Sequence, residues 1–260
     1  MQPQALVLHA TGTNRDHETV AALELAGAQP EIVHLNQLRN GERRLSNYQL
    51  LALPGGFSYA DALGAGRLLA VELKTYFADE VNDFIASGRP VIGICNGFQA
   101  LIKAGILPGL PDRAPVAKAT LTFNASGHFE CRWVTIVPQS QVCIWTRGLT
   151  EPIYCPVAHG EGKFAVRDLP VLNELQANDQ LALVYARLDG SPAGEVYPDN
   201  PNHSVADIAG ISNPQGNVLG LMPHPEDHIF PYQHPRHTHG AQSGSGLSLF
   251  ENGVAYAAQL

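Results

Sequence analysis

Cys95 stands between two glycines in Val91-Ile92-Gly93-Ile94-Cys95-Asn96-Gly97-Phe98-Gln99. An apolar run that ends in Gly-Ile-Cys-Asn-Gly and continues as a helix is the pattern of a nucleophile elbow. The turn from strand to helix forces strained backbone angles. Glycines at 93 and 97 leave room for it and hold the thiol at the top of a sheet. The helix beyond it directs its N-terminal amides and the positive end of its dipole at the same place. Both effects favour the thiolate, which is the nucleophilic form. The competing reading is a buried structural cysteine in a tight turn.

A cysteine nucleophile needs a base, and the base needs a group to orient it. Pro223-His224-Pro225-Glu226 comes directly after an apolar run at 218–222. In extended chain, residues two apart point to one side, so His224 and Glu226 can enter one cleft together. The imidazole would take the thiol proton and later deliver a proton to a leaving amine, while the carboxylate holds its tautomer and stabilises its charged form. Alone, this tetrapeptide reads as a surface turn with two polar residues; beside the elbow, the triad is the better reading. The negative oxygen of a tetrahedral intermediate needs donors. The amide of Asn96 is one, and Pro54-Gly55-Gly56-Phe57 offers a second at Gly56, where bare backbone can approach a ligand. A plain glycine turn explains that segment equally well.

The elements that must position these groups can be read from hydrophobic patterning. Short apolar runs at Ala5–Leu8, Glu31–Leu35, Leu50–Leu53 and Val91–Ile94 predict strands. Asp16–Ala26 predicts a helix stopped by Gly27, and Glu72–Ala86 predicts one long helix. Strands separated by helices imply a mostly parallel sheet with helices on both faces, whose active site lies at the carboxyl ends of the strands. Segments 116–137, 153–166, 181–188 and 204–212 read as further strands. They form a smaller mixed β region on the same core, with a short helix at 169–178. Residues 189–203 should be loop, 218–222 a buried strand and 228–246 an irregular tail. A closing helix is expected at 247–258, capped by Ser245.

With 260 residues, 45% of them hydrophobic and 15% charged, the chain can bury a large core and fits a single α/β domain over 1–260. A formal net charge of −8 argues against nucleic-acid binding. The N-terminus has no basic segment and no run approaches a membrane span, which points to the cytoplasm. There, Cys95, Cys131, Cys143 and Cys155 are expected to stay unpaired, the last three as small buried hydrophobes in strands. They make no Cys-x-x-Cys pair. His228, His234, His237 and His239 match no tight metal motif, so a solvated, partner-facing tail is the better account and no metal site is expected.

These residues resemble the class I glutamine amidotransferases, whose fold is flavodoxin-like. More closely, they are similar to the family of glutaminase subunits of phosphoribosylformylglycinamidine synthase (the PurQ family). Elbow and His-x-Glu pair are shared widely. The narrower resemblance rests on Gly12-Thr13-Asn14 with Asp16, Leu53-Pro54-Gly55-Gly56-Phe57-Ser58-Tyr59 with Asp61, and Leu63-Gly64-Ala65-Gly66. It extends to Asn124-x-Ser126-Gly127-x-Phe129 with Arg132-Trp133, and to His159-Gly160-Glu161-Gly162-Lys163-Phe164. The resemblance implies Cys95 as nucleophile, His224 as base and acid, Glu226 as its partner, and amides of Gly56 and Asn96 at the oxyanion. It also implies glutamine contacts from Gln99 and, around it, Phe57, Gly160 and Glu161. The substrate would be L-glutamine and the product ammonia. The ammonia would pass to a synthetase subunit, with a small third subunit in the complex. ATP and magnesium would belong to the synthetase, since no Gly-x-x-x-x-Gly-Lys loop occurs here. A freestanding cysteine hydrolase acting on γ-glutamyl compounds would need the triad but not the narrower markers. Arg15, His128 and Ala60 depart from the family, which commonly has cysteine, arginine and glycine there.

Overall fold

The computed structural model describes residues 2–109, 117–240 and 246–260. Strands β1 (Gln4–His9), β3 (Leu50–Leu53), β4 (Val91–Ile94) and β11 (Val218–Leu221) are short and apolar because each is covered on both faces. They lie side by side, all parallel, in a nine-stranded sheet ordered β2-β1-β3-β4-β11-β10-β9-β6-β7. β2 (Gln29–His34) closes one edge and β7 (Ile153–His159) the other; each carries a proline, Pro30 or Pro156, which an edge strand tolerates.

From β11 onward the sheet becomes antiparallel, through β10 (Ile208–Ser212), β9 (Leu181–Ala186) and β6 (Glu130–Pro138) to β7. The expected mixed β region is thus largely a continuation of the main sheet. Among the described residues only β5 (Ala119–Thr122) and β8 (Lys163–Val166) form a separate ribbon. Val116, expected in the first of these strands, lies outside the described residues.

Helix α1 (Asp16–Leu25) comes after β1 and packs against the C-terminal helix α7 (Leu247–Ala257). Gly27, with φ of 98°, ends α1 as the sequence suggests. Ser245, the expected cap of α7, lies outside the described residues. A five-residue α2 (Leu35–Arg39) continues from β2, and α6 (Leu169–Ala177) is capped by the Asp168 side chain.

The long helix expected at 72–86 is two helices, α3 (Arg67–Thr75) and α4 (Ala78–Ala86). The chain turns at Tyr76-Phe77 because these rings part company: Phe77 is buried, whereas Tyr76 lies outside beneath the Arg39 guanidinium. α4 then restarts with Asp79 and Glu80 at its positive end. The cysteines also differ from expectation. Cys155 is buried in β7, but Cys131 is exposed on β6, and Cys143, though buried, lies between strands; all four are free thiols. No described helix is long and apolar enough to cross a membrane.

Candidate active site

Because β1, β3, β4 and β11 are neighbours pointing the same way, the loops leaving their carboxyl ends converge on one rim. Register makes this tight. Leu53 of β3 sits opposite Gly93, Leu221 of β11 sits opposite Ile94, and the Cys95 amide donates to the Leu221 carbonyl at 2.8 Å. Cys95 is therefore level with the segment that delivers His224.

Helix α5 (Asn96–Ala104) begins immediately after Cys95, whose φ of 48° and ψ of −102° make the elbow. The glycines on either side are needed for close approach. A Cβ on Gly97 would lie 2.0 Å from the Leu53 carbonyl oxygen, and one on Gly93 would meet the Leu101 side chain at 2.5 Å. The thiol is nearly buried, with Sγ 3.6 Å from the Ala158 carbonyl oxygen. That carbonyl belongs to β7, the far edge of the sheet. The antiparallel half must curl back over the rim, and the His224 amide, bonded to the Pro156 carbonyl at 2.8 Å, is tied to the same strand.

His224 and Glu226 meet, but not through the extended chain expected: Pro225–Asp227 is a 3-10 turn that brings Nδ1 within 2.7 Å of Oε1, and both side chains are buried. The other ring nitrogen, Nε2, makes no hydrogen bond among the described residues, which leaves it for a proton exchanged with Cys95. Burial works against a charged ring here. The Glu226 carboxylate and the Cys95 sulfur outweigh it and hold the His224 pKa well above its usual value. Gly55 passes directly beneath the ring, where a Cβ would lie 2.7 Å from Cε1. The Arg15 side chain borders the same spot, its Cγ 3.5 Å from that Cβ position. Its guanidinium pairs with Glu18 at 3.0 Å and reaches Asp227 at 3.8 Å. Burial and the Glu226 charge push the Asp227 carboxyl up to about 6.

Asn96 and Gly56, the expected oxyanion donors, both border Cys95: Asn96 follows it in the chain and Gly56 lines a cavity with it. Asn96 opens α5, so its amide has no acceptor within the helix. Gly56 has φ of 137°, and a Cβ there would lie 2.7 Å from the Asn14 amide nitrogen. The Asn96 side chain braces the Gly56 loop by accepting from the Ser58 amide and hydroxyl and donating to Asp61 at 2.9 Å.

Phe57, Gln99, Gly160 and Glu161 line, with Cys95 and Gly56, one cavity of about 160 Å³. This is below the roughly 300–1,000 Å³ of pockets for drug-sized ligands and suits a small metabolite. A larger cavity of about 560 Å³ is lined by Ser46 and Arg89, which precede β3 and β4, and so lies at the opposite rim. Two of the expected substrate-binding side chains are already engaged. Gln99 accepts from Asn96 and donates to the Glu161 carbonyl at 2.8 Å, while the Glu161 carboxylate takes the Ala65 amide and the Lys103 ammonium. They shape the cavity wall.

The sequence assigns no role to Asp61, Phe123 or Phe129, which line the same cavity; His159 lines it too, as expected of the 159–164 loop. Asp61, His159 and Phe129 belong to the motifs that carry the family resemblance; Phe123, one residue before Asn124, had no signal. His159 is buried, and burial together with the nearby His224 charge drives its pKa down to about 3, so its ring is neutral. Asn124 Oδ1 accepts from the Gly162 amide at 3.0 Å and lies 3.1 Å from His159 Nδ1. With both Asn124 donors spent on carbonyls, Nδ1 must carry the His159 proton.

The histidine tail is not uniformly solvated. His228 and His234 are buried in a group of rings with Trp133 and Tyr154, centroids 5.1–6.1 Å apart, and only His237 and His239 face outward. The ring faces of β6 and β7 gave the tail something to stack on. Among the described residues the one group of three metal-capable side chains is His224, Glu226 and Asp227, of which the first two are already paired.

The CobB/CobQ-like glutamine amidotransferase domain model matches residues 2–257. A Treponema denticola protein named phosphoribosylformylglycinamidine synthase subunit PurQ is 52% identical, covering 98% of this chain and 99% of its own. A Dehalococcoides mccartyi protein of the same name is 44% identical, covering 99% and 98%. Among solved structures, a chain of "Structure of PurLQS from Thermotoga maritima" superposes with a TM-score of 0.74 at 31% identity, covering 98% of this chain and 99% of that one. The chain belongs to the CobB/CobQ-like glutamine amidotransferases, within the PurQ family.

Proposed function

We propose that this chain is the glutaminase subunit of phosphoribosylformylglycinamidine synthase. It makes ammonia from L-glutamine for a synthetase subunit that converts formylglycinamide ribonucleotide to the amidine in purine biosynthesis. The observation that carries the chemistry is the Cys95 elbow level with the buried His224–Glu226 pair. The Cys95 thiolate attacks the carboxamide carbon. The oxygen, now negative, is held by the Gly56 and Asn96 amides, and His224 donates its Nε2 proton to the departing nitrogen, which leaves as ammonia. A glutamyl thioester remains. His224, now neutral, takes a proton from water; the hydroxide attacks the thioester, glutamate leaves, and the thiolate–imidazolium pair is restored. Glu226 keeps the ring oriented throughout.

On this reading the chain works in the cytoplasm beside the synthetase and a small third subunit. ATP and magnesium are held by the synthetase, and this chain needs no cofactor. Exposed rings at Phe57, Phe123 and Phe129 around the cavity mouth support a partner that covers it. The test is glutamine hydrolysis by the chain alone and after reconstitution with both partners, ATP and formylglycinamide ribonucleotide. Activity should be low alone and strongly stimulated in the complex, and Cys95→Ala should abolish both. No ammonia from a complex that still uses free ammonia would refute the proposal.

A further inference from the structure

We infer that Asp61 recognises the α-ammonium of the amino-acid substrate; this deepens the glutaminase reading and rests on it. A carboxamide at Cys95 does not by itself distinguish glutamine from any other primary amide. Selection must come from the far end of the molecule, which carries one positive and one negative group. Asp61 lines the same cavity of about 160 Å³ as Cys95. Among the described residues no lysine or arginine lines that cavity, and His159 in its wall is held neutral.

Two carboxylates are present, and their situations differ. Glu161 has both oxygens engaged, one by the Ala65 amide and one by the Lys103 ammonium. Asp61 uses only Oδ1, which accepts from the Asn96 side chain at 2.9 Å and the Gly66 amide at 3.4 Å. Among the described residues it has no ion-pair partner; Lys103, whose charge reaches it, is bound to Glu161 and to the Ala65 carbonyl. Burial and the Glu161 charge accordingly raise the Asp61 pKa. An ionised carboxylate part-buried without a cation is costly unless something brings the missing charge. A substrate ammonium brings it.

The backbone is bent to put Asp61 there. Tyr59, Ala60 and Asp61 have φ of 55°, 54° and 51°, a left-handed turn made without a single glycine. Asn96 holds both ends of it, through Ser58 and Asp61, and on the glutaminase reading Asn96 also offers its main-chain amide to the reacting oxygen. Carboxamide and ammonium recognition are thus joined through one residue.

The test uses the reconstituted complex and two substrates, L-glutamine and glutaric acid monoamide, which lacks the amino group. Asp61→Asn is nearly isosteric and keeps an oxygen for Asn96 and Gly66. Losing a charge-assisted hydrogen bond should raise KM for glutamine roughly 10- to 100-fold. The kcat/KM of the monoamide should move far less, so the preference for glutamine narrows by a similar factor. Alkylation of Cys95 by iodoacetamide should continue at the wild-type rate, because the elbow is untouched. An equal fall on both substrates would assign Asp61 to holding Asn96 and overturn the inference, as would an unchanged KM. Asp61→Ala separates these roles: it also loses the Asn96 bond, so it should slow both substrates without narrowing the preference beyond Asp61→Asn. If the wild-type complex releases no ammonia from glutamine, the glutaminase reading falls and this inference with it. If it does and the preference survives in both variants, only the inference falls.

Discussion

Adding one methyl group at Gly97 should damage this protein twice, and the two effects can be measured separately. The new Cβ would lie 2.0 Å from the Leu53 carbonyl oxygen. Such atoms rest roughly 3.5 Å apart, so α5 and β3 must separate by roughly 1.5 Å. The obstacle is main chain in a central strand that is buried on both faces, so neither side can rotate away. Overpacking of this kind costs about 1–3 kcal/mol, more than the ~1 kcal/mol that alanine gains over glycine in a helix. The second effect is on chemistry, because Cys95 and Asn96 ride on the end of α5 that has to move. A displacement near 1 Å can cost about 100-fold in rate. Gly105, at the other end of the same helix, is the control. It has φ of 79° and open space around it, so Gly105→Ala should cost only the ~1–2 kcal/mol of a left-handed alanine and leave turnover alone. Chemical denaturation of the isolated chain reads stability, and iodoacetamide labelling of Cys95 with glutaminase turnover in the complex reads the elbow. If Gly97→Ala matched wild type in stability and turnover, or if Gly105→Ala lost as much activity, the account of the elbow as a steric device would be wrong.

The same geometry has other measurable consequences. Ala60 occupies a left-handed position at φ of 54°; Ala60→Gly should therefore stabilise by about 0.5–1 kcal/mol after glycine's entropy cost, and a lower denaturation midpoint would contradict this. Asp227 has its carboxyl raised to about 6, against 3.8 normally. The folded chain therefore binds this proton more tightly than the unfolded one, and the Asp227 contribution to stability falls as pH rises from about 4 through 6. Asp227→Asn should remove that loss, flattening the difference between denaturation midpoints at pH 4.5 and pH 7.5; an unchanged difference would count against it. The Asn124 side chain makes four hydrogen bonds in a buried position, to His128, Gly162 and twice to His159. Asn124→Ala should cost about 2–4 kcal/mol and raise KM for glutamine as the 159–162 wall loosens, which denaturation and steady-state kinetics would check together.

The chemistry-bearing rim was legible because it lies at the ends of strands the sequence states clearly. β1, β3, β4 and β11 are covered on both faces, so each is an unbroken apolar run, and the loop leaving each run must lie on one edge. Cys95, His224 and the Gly55-Gly56 turn could be placed on that edge before any contact was known. The break between α3 and α4 was not legible, because Leu73, Phe77, Val81 and Phe84 keep helical spacing straight across it. Periodicity reports which side of the chain is buried and is blind to a change of axis that leaves the same side buried.

The rest of the site escaped for a related reason. The left-handed turn at 59–61 contains no glycine, so the usual residue signal for positive φ is missing; tertiary bonds hold it, from Asn96 to Ser58 and Asp61 and from the Tyr59 amide to the Thr11 carbonyl. The cavity wall comes from β7, whose alternation of buried and half-buried residues can be read as a strand but says nothing of its neighbours. That this edge strand returns to set the Ala158 carbonyl 3.6 Å from the Cys95 sulfur depends on the curl of the whole sheet. A nucleophile and its base can be specified locally, by a turn and a two-residue spacing. A substrate pocket cannot, because its walls are segments whose separation in sequence carries no information about their distance in space. This is why Gln99 and Glu161 turn out to brace the wall, and why Asp61, inside a motif already noticed, acquired a role only when its neighbours were known.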